Sequence, residues 1–189
     1  MRRIFIIRHG RPTAVWGGGD ADPGLDPTGT RQSVEAAVAL LSLPSDQRPR
    51  AVASSPLRRC TETALPLAQA LGVDIEIVPE VGEIPTPRHL APAERGSWLR
   101  SAMAGTWSDI KGDIDYDAWR ADIAEAVRAR PGTAVFSHFV AINALVSLLE
   151  GSKTVVSFRP DHAAITTLKL DRAGLELVSI GAEAVTGVL

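Results

Sequence analysis

The stretch that decides the fold is Ile4-Phe5-Ile6-Ile7-Arg8-His9-Gly10. Four consecutive apolar residues suit a strand buried on both faces. The run then stops abruptly in a guanidinium, an imidazole and a glycine. A cation and a histidine at the tip of a core strand are unfavourable unless a partner offsets their lost hydration. An anion is the natural partner. A phosphate held by Arg8, with His9 beside it, accounts for both residues together.

Working outward, Asp26-Pro27 is a helix start: a carboxylate cap followed by proline at the first helical position. Val34, Ala37, Val38 and Leu41 then share one helix face, and the helix ends before Pro44. Ala51–Ser54 reads as a second strand. Ser55-Pro56 repeats the cap-then-proline start, with Leu57, Cys60, Ala64, Leu67 and Leu71 at helical spacing. Pro66 is expected to kink or divide that helix, and Gly72 to end it. Asp74–Val78 alternates as a third strand. Trp119, Ile123 and Val127 mark a helix stopped at Pro131-Gly132. Thr133–Ser137 is a buried strand ending at His138, followed by a helix from about Val140 to Glu150. Ala164–Leu170 and Leu175–Ile180 are strands around the turn at 171–174. Strands alternating with helices imply an α/β fold, with a mostly parallel sheet and an antiparallel addition near the end.

Between Ile84 and about Gly112 the character changes. Pro85, Pro87 and Pro92 mingle with Trp98, Trp107, Arg88, Arg95 and Arg100, without a strong period in the first third. The segment reads as a lid or insertion within a single domain spanning 1–189, because 189 residues suit one substantial core. Hydrophobic residues make up 45% and charged residues 22%, as in ordinary globular chains. A net charge of −2 gives no reason to expect nucleic-acid or acidic-membrane partners. With Cys60 as the single cysteine no intrachain disulfide can form, which suits a reducing compartment. The apolar run after Met1-Arg2-Arg3 is too short for a signal peptide, no stretch reaches transmembrane length, and the cytoplasm is the expected location. Gly17-Gly18-Gly19 is not followed by Gly-Lys-Ser/Thr, so a nucleotide P-loop is rejected in favour of a flexible loop over the site. Oligomeric state is left open.

The chemistry converges on one sheet edge. Arg8-His9 follows the first strand, Arg59 lies at the start of the helix after the second, and His138 closes a later one. In open α/β sheets ligands bind beyond the carboxyl ends of the strands. Taken singly, His9 and His138 could be structural histidines and the arginines could be salt-bridged. Their coincidence is harder to produce by folding alone.

Arg8-His9-Gly10, Leu57-x-Arg59-Cys60-x-x-Thr63-Ala64, Glu83 and Ser137-His138 together resemble the histidine phosphatase superfamily, also called the phosphoglycerate mutase-like family. Leu25-Asp26-x-x-Gly29-x-x-Gln32 resembles its first-helix signature. The resemblance implies a three-layer α/β sandwich: a mostly parallel central sheet with an antiparallel strand, and helices on both faces. It further implies that His9 attacks phosphorus and forms a phosphohistidine that water hydrolyses, with Glu83 as general acid and no metal or other cofactor. The substrate would be a small phosphorylated metabolite. Arg8 and Arg59 can each give bidentate bonds to phosphoryl oxygens, with His138 as a further donor. Gly10, Arg11 and His162 are expected at the phosphate or the pocket mouth, although Arg11 and His162 also read as ordinary loop residues. Glu80 is the local rival of Glu83, and Arg58 the poorer neighbour of Arg59. Three positions depart from the family pattern: Ile84-Pro85 for an aromatic-glycine pair, Phe139 for glycine, and Val15 for a polar residue. Phosphoglycerate mutase-type transfer, or phosphate binding without turnover, are the alternatives.

Overall fold

The computed structural model describes residues 2–14, 20 and 22–184, and the loop at 17–19 and Val15 lie outside them. Six strands form the sheet: β1 (Arg2–Arg8), β2 (Ala51–Ser54), β3 (Ile75–Ile77), β4 (Thr133–Ser137), β5 (Ile165–Asp171) and β6 (Gly174–Ser179). Their order is β3-β2-β4-β1-β5-β6. The first four in that order run parallel; β5 is antiparallel to β1, and β6 antiparallel to β5. Arg8 lies opposite Ser137 in the β1–β4 register. The two strands therefore end level, with His9 and His138 next in line.

Five helices cover the sheet: α1 (Pro27–Leu41), α2 (Arg58–Leu71), α3 (Pro92–Ala104), α4 (Tyr116–Arg128) and α5 (Phe139–Glu150). The period-2 alternation of β1 assigns its side chains to two cores. Phe5 and Ile7 pack with Ala37 and Leu40 of α1 and with Cys60, Ala64 and Leu67 of α2. Ile4 and Ile6 pack with Ile123 and Val127 of α4 and Val140 and Leu145 of α5. Each such side chain, fully buried, is worth about 1.5–3 kcal/mol. The result is three layers, helices on both faces of a mostly parallel sheet.

Four local expectations need correction. The buried face of α1 is Gly29, Ser33, Ala36, Ala37 and Leu40, while Val34 and Val38 are 49% and 58% exposed. The true stripe is made of small residues, and Ser33 hides in it by donating to the Thr30 carbonyl. The second correction concerns Ser55-Pro56, which does not cap α2. The helix begins at Arg58 after Leu57, and Ser55 Oγ accepts from the Leu57 amide at 3.3 Å. Pro66 does not divide α2, which runs unbroken to Gly72 in the left-handed region (φ 66°). Its missing N–H removes one helical hydrogen bond, while Leu67 and Ala68 beside it stay buried. Finally, the 84–112 segment contains α3. Its helix was illegible because only Leu99 and Ala102 are buried, too few for a period, although Glu94 accepts from the Ala91 amide at the helix start. Trp98 lies against Tyr116, and the buried Trp107 against Trp119.

Candidate active site at the β1 and β4 tips

His9 is placed by backbone bonds at the end of β1. Its amide donates to the Ser137 carbonyl at 3.0 Å. Its Nδ1 lies 2.8 Å from the Gly10 carbonyl. A carbonyl only accepts, so Nδ1 carries the proton and Nε2 keeps the lone pair. Burial, then Arg59 and Arg8, hold this imidazole well below its ordinary pKa, so it is neutral at physiological pH. Gly10 itself is needed for close approach: a Cβ there would sit 2.7 Å from the Gly29 carbonyl of α1. Its amide donates to Thr63 Oγ1 at 2.8 Å, so it serves to hold the His9 backbone and has no N–H to spare for an anion.

Arg8 is buried, and its Nη1 donates to the Pro160 carbonyl at 2.9 Å. The guanidinium carbon stands 5.1 Å above the Phe139 ring, a cation–π contact. Phe139 thus supports the arginine, and nothing in its position within the sequence announced this. Burial brings Arg8 down to about 10, still charged at neutral pH. Its Nε is buried with no partner among the described residues.

Arg59, at the second position of α2, is buried and reaches across to the β4 tip. Its Nη2 lies 3.1 Å from His138 Nδ1. Guanidinium nitrogen only donates, so Nδ1 accepts, and His138 Nε2–H must donate to Ser55 Oγ at 2.8 Å. Burial first, then Arg59, His9 and Arg8, keep His138 neutral. Cys60 packs beneath it, with Sγ 3.4 Å from Nε2, and burial pushes its thiol pKa up. The rings of His9 and His138 are 5.3 Å apart.

Glu83 arrives by a different route. After β3 the chain returns through Val81, whose carbonyl accepts from Ser137 Oγ at 2.7 Å. This pins the carboxyl beside the β4 tip, with Oε2 3.6 Å from both Arg59 Nη2 and His138 Nδ1. The side chain is only 13% exposed. Burial raises its pKa, and the opposing pull of Arg59 does not cancel it. Glu80 is exposed on the preceding 3-10 turn, and Arg58 is exposed and paired with Glu62.

Arg8, His9, Arg59, Glu83 and His138 are therefore brought together. Arg11 is directed to the start of α1, where it pairs with Asp26 and donates to Thr28 Oγ1. The His162 ring lies 5.8 Å from that of His9. Sequence reasoning passed over Ser55, which it treated as a cap, and the Pro160 carbonyl, which carries no side-chain signal. Among the described residues no group of three His, Cys, Asp or Glu side chains is disposed to hold a metal ion.

A family model described as the histidine phosphatase superfamily (branch 1) matches residues 4–89. No curated protein matches the chain. Among solved structures, it is similar to a phosphoserine phosphatase from Entamoeba histolytica in complex with 3-phosphoglyceric acid. That pair has TM-score 0.75 and 19% identity, over 96% of this chain and 98% of the other. A mycobacterial glucosyl-3-phosphoglycerate phosphatase bound to inorganic phosphate gives TM-score 0.72 and 22% identity, over 97% and 98%. An alpha-ribazole phosphatase from Shigella flexneri gives 0.72 and 18%, over 99% and 100%. At these identities the likeness establishes a shared fold.

Proposed function

For this chain, whose residues 4–89 match the histidine phosphatase superfamily model, we propose membership of that superfamily and hydrolysis of small phosphate monoesters through a phosphohistidine on His9. The observation that carries the proposal is the tautomer of His9: Nδ1–H is tied to the Gly10 carbonyl and Nε2 is left as a free lone pair among cations. A nucleophilic imidazole must be neutral, and burial beside Arg8 and Arg59 makes it so.

The phosphoryl group binds against Arg8 and Arg59, whose donors stabilise the charge spread over its oxygens during transfer. Nε2 attacks phosphorus in line, and the bond from phosphorus to the ester oxygen breaks. Glu83, its pKa raised by burial, acts in its protonated form and gives its proton to the departing alkoxide or phenolate. The bound phosphoryl group also offsets Arg59 and Arg8, the two cations drawing the Glu83 pKa down, so protonation of the acid strengthens as substrate binds. Water then attacks the phosphohistidine, Glu83 takes its proton, and inorganic phosphate leaves. His138 first acts as an acceptor that fixes Arg59; to donate through Nδ1 to a phosphoryl oxygen it must take up a proton. The donor set has no need of a metal, since two guanidiniums occupy the place of a cationic Lewis acid.

Support for small phosphorylated substrates comes from the neighbours, which carry 3-phosphoglyceric acid and inorganic phosphate. We assign the 84–112 segment, with α3, the role of lid and selector. The test is acid-labile phosphate trapping on His9 during turnover of a phosphorylated metabolite panel, with His9→Ala expected to lose both label and phosphate release. Label that persists in His9→Ala, or phosphoglycerate interconversion faster than phosphate release, overturns it.

A further inference from the structure

The turn after the family's described motifs closes tightly over the β1 tip. The Pro160 carbonyl holds Arg8, and the Ala163 amide is shared between the carbonyls of Arg8 (3.1 Å) and His9 (3.3 Å). The Arg8 amide in turn donates to the Ala164 carbonyl. Ala163 adopts φ 58°, and among the described residues it is the one non-glycine with positive φ. A Cβ-bearing residue occupies that region at a cost, which is tolerated where the surrounding bonds over-determine the geometry. The preceding His162 ring lies 5.8 Å from that of His9 between centroids, with only 11% of the side chain exposed. The adjacent carboxylate, Asp161 Oδ1, stands at 3.8 Å from Nδ1, beyond hydrogen-bond distance.

We propose that His162 is a third imidazole of the phosphoryl pocket, which takes a proton from solvent as a dianion binds and then donates it in a hydrogen bond to one of the anion's oxygens. This rests on the phosphoryl-transfer reading of the same site. The charged and titratable groups around His162 are Arg8 and His9 at the end of β1, Arg11 after it, Asp26 at the start of α1, and Asp161 in its own turn. Burial first, then Arg8 and Arg11, lower the empty-site His162 to about 4, with Asp161 and Asp26 opposing. A dianion beside Arg8 offsets that guanidinium and favours the imidazolium. The N–H bond forms from a solvent proton, and no bond of the anion changes. Binding therefore consumes a proton at every pH between the free and bound pKa values, and affinity weakens as pH rises through the bound one.

Sulfate is the probe, since its own charge does not change in this range. Its affinity for the whole chain is measured by calorimetry from about pH 5 to 8. His162→Asn and His162→Gln are expected to bind about tenfold more weakly at the acid end and to converge on the parent at the alkaline end. Proton uptake should fall by about one. His9→Ala, which removes the neighbouring imidazole and keeps His162, should retain that uptake. A His162→Asn protein with the parental slope, or a His9→Ala protein with no uptake, overturns the inference alone. A parent chain that neither binds sulfate nor hydrolyses para-nitrophenyl phosphate overturns the reading beneath it as well.

Discussion

β1 and β4 lie side by side, run parallel, and each end in a polar residue followed by histidine. The two tips nevertheless treat their imidazoles differently. His9 is tethered on one nitrogen only, by the Gly10 carbonyl, and retains 5% exposure. His138 is tethered on both, accepting from Arg59 and donating to Ser55, with no exposure at all. A ring held on one side can present a lone pair to a ligand. One held on both sides braces its neighbours and must change protonation before it can do more. Neighbouring strands thus hold the same residue type in two ways, one ring with a nitrogen left free and one with both engaged.

The sharpest way to break this contrast is to remove the free lone pair. His9→Ala should lower kcat for para-nitrophenyl phosphate by at least about 10³-fold with the fold intact by circular dichroism, because it removes the nitrogen proposed to attack phosphorus. Retention of parental kcat would dissolve the distinction between the two tips.

Next in size is the proposed proton donor, Glu83, beside Arg59 and His138. Glu83→Gln should cost about 10²- to 10³-fold in kcat. The pH profile supplies the mechanistic readout. A carboxyl whose pKa is raised stays protonated to higher pH than an ordinary one, so parental kcat should fall as pH rises through that value. His9, with its pKa held well below the ordinary range, is neutral near physiological pH and sets no limit there. An acid-shifted optimum follows, and Glu83→Gln should lose its alkaline limb for an ester leaving group. The effect should shrink for leaving groups of low pKa, which depart without a proton.

Much of this was legible before any coordinates. The run from Ile4 to Ile7 fitted a strand buried on both faces, and the Arg8-His9 tip asked for an anion by its cost alone. Arg59 and Glu83 could be matched from motif, because their roles attach to side-chain type and order. The braces were not legible, since they are defined by contacts between distant positions. Ser55 looks like any helix-capping serine until β2 and β4 are paired, which places it against His138. Phe139 reads only as a departure from the family's glycine until the fold sets its ring against Arg8. The helix α3 hid for another reason: with few buried positions, its sequence has almost no amphipathic period to read.

A smaller effect should separate brace from nucleophile. Ser55→Ala removes the acceptor from a fully buried Nε2–H, and an unsatisfied buried donor costs about 1–3 kcal/mol. The urea midpoint should fall accordingly. Ser55→Thr, which restores the hydroxyl, should recover part of the loss. Activity should drop about tenfold through looser placement of Arg59, while phosphohistidine still forms. A Ser55→Ala protein of unchanged stability would mean that His138 does not use Nε2–H as a tether.

The smallest expected change lies at Phe139, where the two tips touch. Its ring supports the Arg8 guanidinium from the first turn of α5. A contact of this kind contributes about 0.5–2 kcal/mol, depending on how far the cation is desolvated, and Arg8 is buried. Phe139→Leu keeps an apolar side chain of similar size and removes the π face. If the ring positions Arg8 for ground-state binding of phosphate, KM should rise by about three- to tenfold with kcat little changed, and Phe139→Trp should recover much of the loss. If instead the residue only fills space, leucine and tryptophan should rank by fit and stability, with KM following the urea midpoint. The two readings predict opposite orders for the aromatic and aliphatic replacements. Titrating inorganic phosphate against the three proteins decides whether the β4 side of the site holds the cation of β1 or merely adjoins it.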